Sequence, residues 1–331
     1  QVFLLGFNLR SCKTSDCRTM TSSQQSPIAR LAGFVGDVKS GKGEALFVCF
    51  VYAAFVCMGL VGWHHFSDQD FSFIITFAGL TQTAAFYLLL HKMKVARSAA
   101  GISSKTLQCY VMALCFRLSS TCVKNGYLPV DRSGDHMYQA TDIASVLLLF
   151  QMLFFCHKRY ADTYQAELDT FPIFKLIPAC MLLGLTVHGK LNHSPFFDKT
   201  WTIGMWLDSI AMLPQLWMLV SKGGKVEALT ANFVALIFLS RLMTWFFWFS
   251  GYDELAPKEG GKFTGGFNKV GMLIMTGQSL SLVVSGDFMY HYFAWQSSKC
   301  ASRMGCVPIC GEPTDSMMMP DMPEFEFELE F

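Results

Sequence analysis

Apolar residues fall along this chain in eight stretches of about twenty, the length that crosses roughly 30 Å of hydrocarbon at 1.5 Å per residue. The stretches run approximately 45 to 64, 70 to 90, 104 to 123, 138 to 157, 171 to 188, 200 to 220, 229 to 249 and 268 to 293. Each is expected to be a membrane-spanning helix. Prolines 172, 178 and 214 fall inside or at the start of these windows, which membrane helices tolerate when neighbours satisfy the freed carbonyls, and kinks are expected near Pro178 and Pro214. Composition agrees, since 52% of the 331 residues are hydrophobic and only 15% are charged, with a mean hydropathy of +0.34. That balance excludes an ordinary soluble enzyme. Eight spans place the amino-terminal arm, the connections after even-numbered spans and the tail on one side, with 17 Lys and Arg against 7 opposite. Both termini then face the cytosol or its equivalent. A net charge of +1, with no basic stripe interleaved with aromatics, argues against a nucleic-acid partner.

Arg117, Arg241 and Asp208 break the apolar pattern from the middle of their windows. An ionisable side chain at membrane depth costs at least about 2.5 kcal/mol, so such groups face a bundle interior and meet a partner or a ligand. Counted along their own helices at 1.5 Å per residue, all three lie roughly 10 to 13 Å below the less basic face, so they can share one pocket. Two cations against one carboxylate leave surplus positive charge, which an anionic group would neutralise in the two-pronged manner guanidinium favours. A structural ion pair is the alternative. Trp201 stands two turns from Asp208 on the same helical face, and Asp198 three residues nearer the mouth, which suits a peptide or metabolite pocket. An interfacial anchor is the other reading of Trp201.

Two segments give the chain a family resemblance. Ala96-Arg97-Ser98-Ala99-Ala100-Gly101-Ile102-Ser103-Ser104-Lys105-Thr106, followed by Arg117, resembles the first signature of the KDEL receptors, also called ER lumen protein retaining receptors. Trp206-Leu207-Asp208-Ser209-Ile210-Ala211-Met212-Leu213-Pro214-Gln215-Leu216 resembles their second, including the Pro-Gln pair of the wider PQ-loop, sugar-transporter-like fold, and Thr163-Tyr164 and Asp169-Thr170-Phe171 match between them. The resemblance implies a seven-helix bundle of two three-helix repeats joined by a linker helix over roughly 70–297. In the family a lumenal cavity of that bundle grips the carboxy-terminal retrieval tetrapeptide of escaped ER proteins. It also implies ER and Golgi membranes and cavity roles for the residues matching Arg117, Asp208, Arg241, Trp201 and Asp198. Outside it lie a polar arm (1–43), an extra transmembrane helix (44–66) and a tail (298–331).

The departures are specific. Gln82 stands where the family carries a titrating histidine, and a glutamine has no proton to gain. Ile75, Ser120, Ser240, Phe247 and Gly251 occupy positions where the family's cavity has an arginine, an acid, a tyrosine, an asparagine and another arginine. The expected peptide shell is half missing, so a retrieval peptide should bind weakly. The Ser- and Thr-rich arm reads as a disordered cytosolic segment or a trimmed targeting segment, and the acidic, aromatic 324–331 end has strand periodicity. Both ends are expected to contact partner membrane proteins.

Twelve cysteines, mostly within apolar windows, read as packing, and those outside lack paired zinc spacing, so no metal site is expected. No cofactor is expected either; membrane lipid, or a pigment held by His91, His157, His188 or His291, is the alternative occupant of spare space. No nucleophile, base and orienting group come together as an enzyme requires. Two further readings stand beside the receptor: a structural accessory subunit of a thylakoid or mitochondrial inner-membrane complex, and a PQ-loop solute transporter. The transporter would need a Pro-Gln kink in each repeat, and the chain has only Pro214-Gln215.

Overall fold

The computed structural model describes Cys57 and residues 73–124, 135–189, 194–221, 225–255, 268–303 and 316–318. Seven of the eight windows fall on helices within those residues. They are α1 (Phe73–Ala96), α2 (Ser104–Thr121), α3 (Asp135–Phe154), α4 (Ile173–Thr186), α5 (Pro195–Ile210) continued by α6 (Leu213–Ser221), α7 (Ala228–Ser250) and, after the short α8 (Tyr252–Leu255), α9 (Lys269–Arg303). The arm and the window at 45 to 64 lie outside the described residues. Among the described residues four helices, Phe73–Ala96, Met137–Arg159, Pro195–Ser221 and Thr230–Ser250, are long and apolar enough to cross a membrane. The α4 helix is apolar but has 14 residues, with Pro178 inside it.

Packing follows a twofold pattern. The closest pairs are α1 with α7 and α5 with α2, while α3 packs on α1 and α2 as α9 packs on α5 and α7. Exchanging α1, α2, α3 for α5, α7, α9 maps these contacts onto themselves, as expected of two three-helix repeats, with α4 lying against α5 as the linker. The α5 helix sits deepest: every residue from Thr200 to Ile210 is buried. A helix enclosed all round needs close neighbours, and Gly204 admits one. A Cβ there would stand 2.9 Å from the Ala113 carbonyl oxygen and 3.1 Å from the Arg117 nitrogen, so α2 could not keep its place beside any larger residue.

At the basic end the two signature segments knit together. Ser103 caps α2, its Oγ accepting from the Thr106 N–H at 3.2 Å and donating to Asp169 Oδ1 at 2.8 Å. Asp169 Oδ2 accepts from the Tyr164 hydroxyl at 2.6 Å and from the Lys105 N–H at 3.3 Å. Burial, and then the bond it donates to Asp169, push the Tyr164 phenol above its ordinary range. The Gln215 amide brackets the α1–α2 turn, accepting from the Ser103 N–H and donating to the Gly101 carbonyl, both at 2.9 Å. Pro214 lies in the first turn of α6, and the rod breaks just before it at Ala211–Met212. Pro214 and Gln215 therefore act as a pair: the break frees the turn, and the glutamine ties it to α2.

In the tail, Ser316–Met318 pairs antiparallel with Lys225–Glu227 of the same chain, while 324–331 lies outside the described residues.

Replacing Gln215 by Leu leaves a buried N–H and a buried carbonyl unpaired, a loss of about 2–4 kcal/mol. SDS titration of the detergent-purified chain should show that drop, with helix content unchanged below the transition.

Candidate functional site

Four helices each bring one charge to the same level. Arg117 comes from α2, Asp208 from α5 and Arg241 from α7. The fourth is Asp142 on α3, seven residues, or about 10 Å, beyond the helix start at Asp135. Arg117 grips Asp142 side-on, with Nε to Oδ2 at 2.8 Å and Nη2 to Oδ1 at 2.5 Å. Arg241 grips Asp208 end-on, with Nη2 to Oδ1 at 2.6 Å and Nη1 to Oδ2 at 2.5 Å. Each guanidinium also lies near an aromatic face, Arg117 at 5.3 Å from the Tyr138 centroid and Arg241 at 5.8 Å from that of Tyr110. The surplus positive charge expected from the sequence is absent from this cluster, because Asp142 balances it to zero.

The two pairs border one cavity. It has about 490 Å³ of unfilled space, counting the part open to solvent, of which only about 30 Å³ admits the centre of a water molecule. That holds about two waters as the side chains stand. Arg117, Asp208, Arg241 and Trp201 all line it, so the structure brings together four of the five residues singled out in the sequence. Asp198 is not on its wall; it is buried in the first turn of α5, where a helix N-terminus favours a carboxylate. Trp201 meets Trp248 edge to face at 5.6 Å and belongs to the apolar cluster that also holds Ile75 and Phe247. An aromatic wall therefore covers two positions where the resemblance leads one to expect polar groups.

The serines at two other departures tie helices together. Ser240 Oγ donates to the Ala78 carbonyl of α1 at 2.8 Å, and Ser120 Oγ donates to the Phe197 carbonyl of α5 at 2.9 Å. Gln82 lines the cavity and is 2% exposed, yet its Nε2 has no hydrogen-bond partner among the described residues, and neither has Arg241 Nε. Two residues that line the cavity thus each carry a buried donor without a partner among the described residues. His157, one of the candidate pigment ligands, is instead within hydrogen-bond distance of Ser104 Oγ, 3.1 Å from its Nε2.

The sequence reading missed Asp142 because it falls four residues into the window at 138 to 157, where it passes for a polar end. The helix begins earlier, at Asp135, and that lowers Asp142 to the depth of the other three charges. Tyr138, on the same helix and not singled out in the sequence, also lines the cavity.

Comparison with known proteins places this geometry. A family model described as ER lumen protein retaining receptor matches residues 98–251. The chain is 29% identical over 209 residues to the ER lumen protein-retaining receptor of Dictyostelium discoideum, covering 62% of this chain and 86% of the relative. It is 27% identical over 224 residues to ER lumen protein-retaining receptor B of Arabidopsis thaliana, covering 66% and 93%. With ER lumen protein-retaining receptor 2 of Homo sapiens it shares 31% identity over 183 residues, covering 53% and 80%.

Breaking one ion pair separates cost from benefit. Arg241→Met strands a buried carboxylate and should destabilise the bundle by about 3–5 kcal/mol, whereas Arg241→Met with Asp208→Leu should recover most of that. Denaturant titration of the two variants reads the difference.

Proposed function

Because this chain belongs to the family of ER lumen protein retaining receptors, integral membrane proteins of the ER and Golgi, we propose that it is a divergent retrieval receptor. In this reading the cavity takes the carboxy-terminal peptide of an escaped lumenal protein, through a thinner shell than the family's and without its proton switch. The observation that carries it is a cavity at membrane depth, bordered by two guanidinium groups, with Gln82 Nε2 and Arg241 Nε unpaired and buried. Donors left unpaired and buried favour an acceptor-rich guest such as a peptide carboxyl end. Trp201 and Trp248 supply an apolar wall for its side chain.

Weak binding is part of the proposal. Ile75, Phe247, Ser120 and Ser240 are all buried in helix packing, so they add little polar grip. Each missing charge-assisted hydrogen bond lowers affinity by about 1.5–3 kcal/mol. Gln82 cannot titrate, so acidification adds no charge at that position. A second reading, an accessory subunit with an inherited receptor bundle, draws support from the same fully paired charges, which hold the helices together without any guest.

The full-length chain, purified in mild detergent, should take up a labelled peptide ending in Lys-Asp-Glu-Leu. Its affinity should change less than about threefold between neutral and mildly acidic buffer, since the unperturbed histidine range is where a switch would act. A steep acid-side gain would remove the switchless part of the proposal. Comigration with a stoichiometric membrane complex and no uptake would favour the accessory subunit.

A further inference from the structure

Arg117 and Asp142 meet at the cavity in an unequal way. Arg117 lines it, with its side chain 15% exposed, whereas Asp142 is not on the wall and its side chain is 2% exposed. Asp142 therefore grips the guanidinium from behind, through Nε and Nη2. The rest of α3 holds it there. Thr83 Oγ1 of α1 lies 3.1 Å from the Thr141 carbonyl and 2.8 Å from Ser145 Oγ, one on each side of Asp142 in sequence. Gln139 Nε2 donates to the Thr121 carbonyl of α2 at 2.8 Å. Gly79 permits the approach of α1, for a Cβ there would meet Thr141 Oγ1 at 2.9 Å. These contacts fix α3 on both sides of Asp142.

We propose that Asp142 determines the specificity of the cavity by acting as a built-in carboxylate for Arg117, so that a guest carboxylate at Arg117 has to share that cation with it. The inference rests on the receptor reading and sharpens it. Arg117 keeps Nη1 and one N–H of Nη2 outside the Asp142 bond, but a second carboxylate arriving there shares one cation with the first, and the two repel. The donors that remain open, Gln82 Nε2 and Arg241 Nε, belong to a neutral amide and to a guanidinium already balanced by Asp208. Both donate to a neutral carbonyl oxygen as well as to a carboxylate oxygen, and with Arg241 already balanced by Asp208 the charge of the guest adds less there. The preferred guest is thus a peptide end recognised by shape and neutral acceptors rather than by its charge.

The test compares two labelled peptides ending in Lys-Asp-Glu-Leu, one with a free carboxylate and one amidated, on the full-length chain in detergent. The unaltered chain should bind the two within about fivefold of each other, and Asp142→Asn should bind the free carboxylate at least about tenfold tighter with the amide little changed. A folded Asp142→Asn chain with no such gain overturns the inference. So does an unaltered chain that already prefers the free carboxylate by more than about thirtyfold, a measurement that needs no variant to fold. Absence of uptake of either peptide by both chains would overturn the receptor reading, and this inference with it.

Discussion

A charge inside a membrane must find its opposite, and in this protein that requirement joins four helices at one level. Arg117 with Asp142 joins α2 to α3, and Arg241 with Asp208 joins α7 to α5. Each pair is bidentate, which fixes orientation as well as distance. In terms of the repeats, the first pair lies within the first repeat and the second within the second. The close packing of α2 on α5 at Gly204 brings the two pairs to one cavity. Without Gly204 they would be separate structural clamps.

The opposite end of the bundle solves a different problem, with amides and hydroxyls around the Asp169 carboxylate. The turn between α1 and α2 places Arg97 at φ 49° and Gly101 at φ 77°, a left-handed geometry that frees backbone N–H and carbonyl groups. Thr163 Oγ1 accepts from the Ala99 N–H, and Gln165 Oε1 from that of Gly101. Gln215 takes the next N–H and a carbonyl. The signature residues that carry the family resemblance thus divide into two layers. One layer of amides and hydroxyls with the Asp169 carboxylate locks the basic end, and one layer of paired charges lies by the cavity some distance along the same helices.

The windows were legible because hydrocarbon thickness sets a length that a sequence displays directly, and seven of them coincide with helices. Depth was legible for the same reason: counting residues at a constant rise set Arg117, Asp208 and Arg241 at one level. What a count along separate helices does not contain is which partner each charge takes. Asp142 was hidden by the ambiguity of a helix start, where three or four residues decide whether an acid is interfacial or buried. The roles of Ser120 and Ser240 were hidden too, since a hydroxyl that bonds a neighbouring helix's carbonyl has the same sequence signature as one that bonds its own. The strand at Ser316–Met318 depends on a partner some ninety residues away, Lys225–Glu227, which no local pattern announces.

Balanced pairs also change what the cavity asks of a guest. In a pocket with a surplus cation, the guest supplies the missing charge, and its absence leaves an ion desolvated and alone. Here the protein supplies both signs, so the empty state is electrostatically complete and the bundle holds without a ligand. On the proposed receptor reading, binding then comes from the Gln82 and Arg241 donors and from apolar contact with Trp201 and Trp248, terms that are individually small. On the receptor reading proposed above, a site built this way holds its guest by shape more than by charge, with Gln82 contributing no titrating group and Asp142 already partnering Arg117.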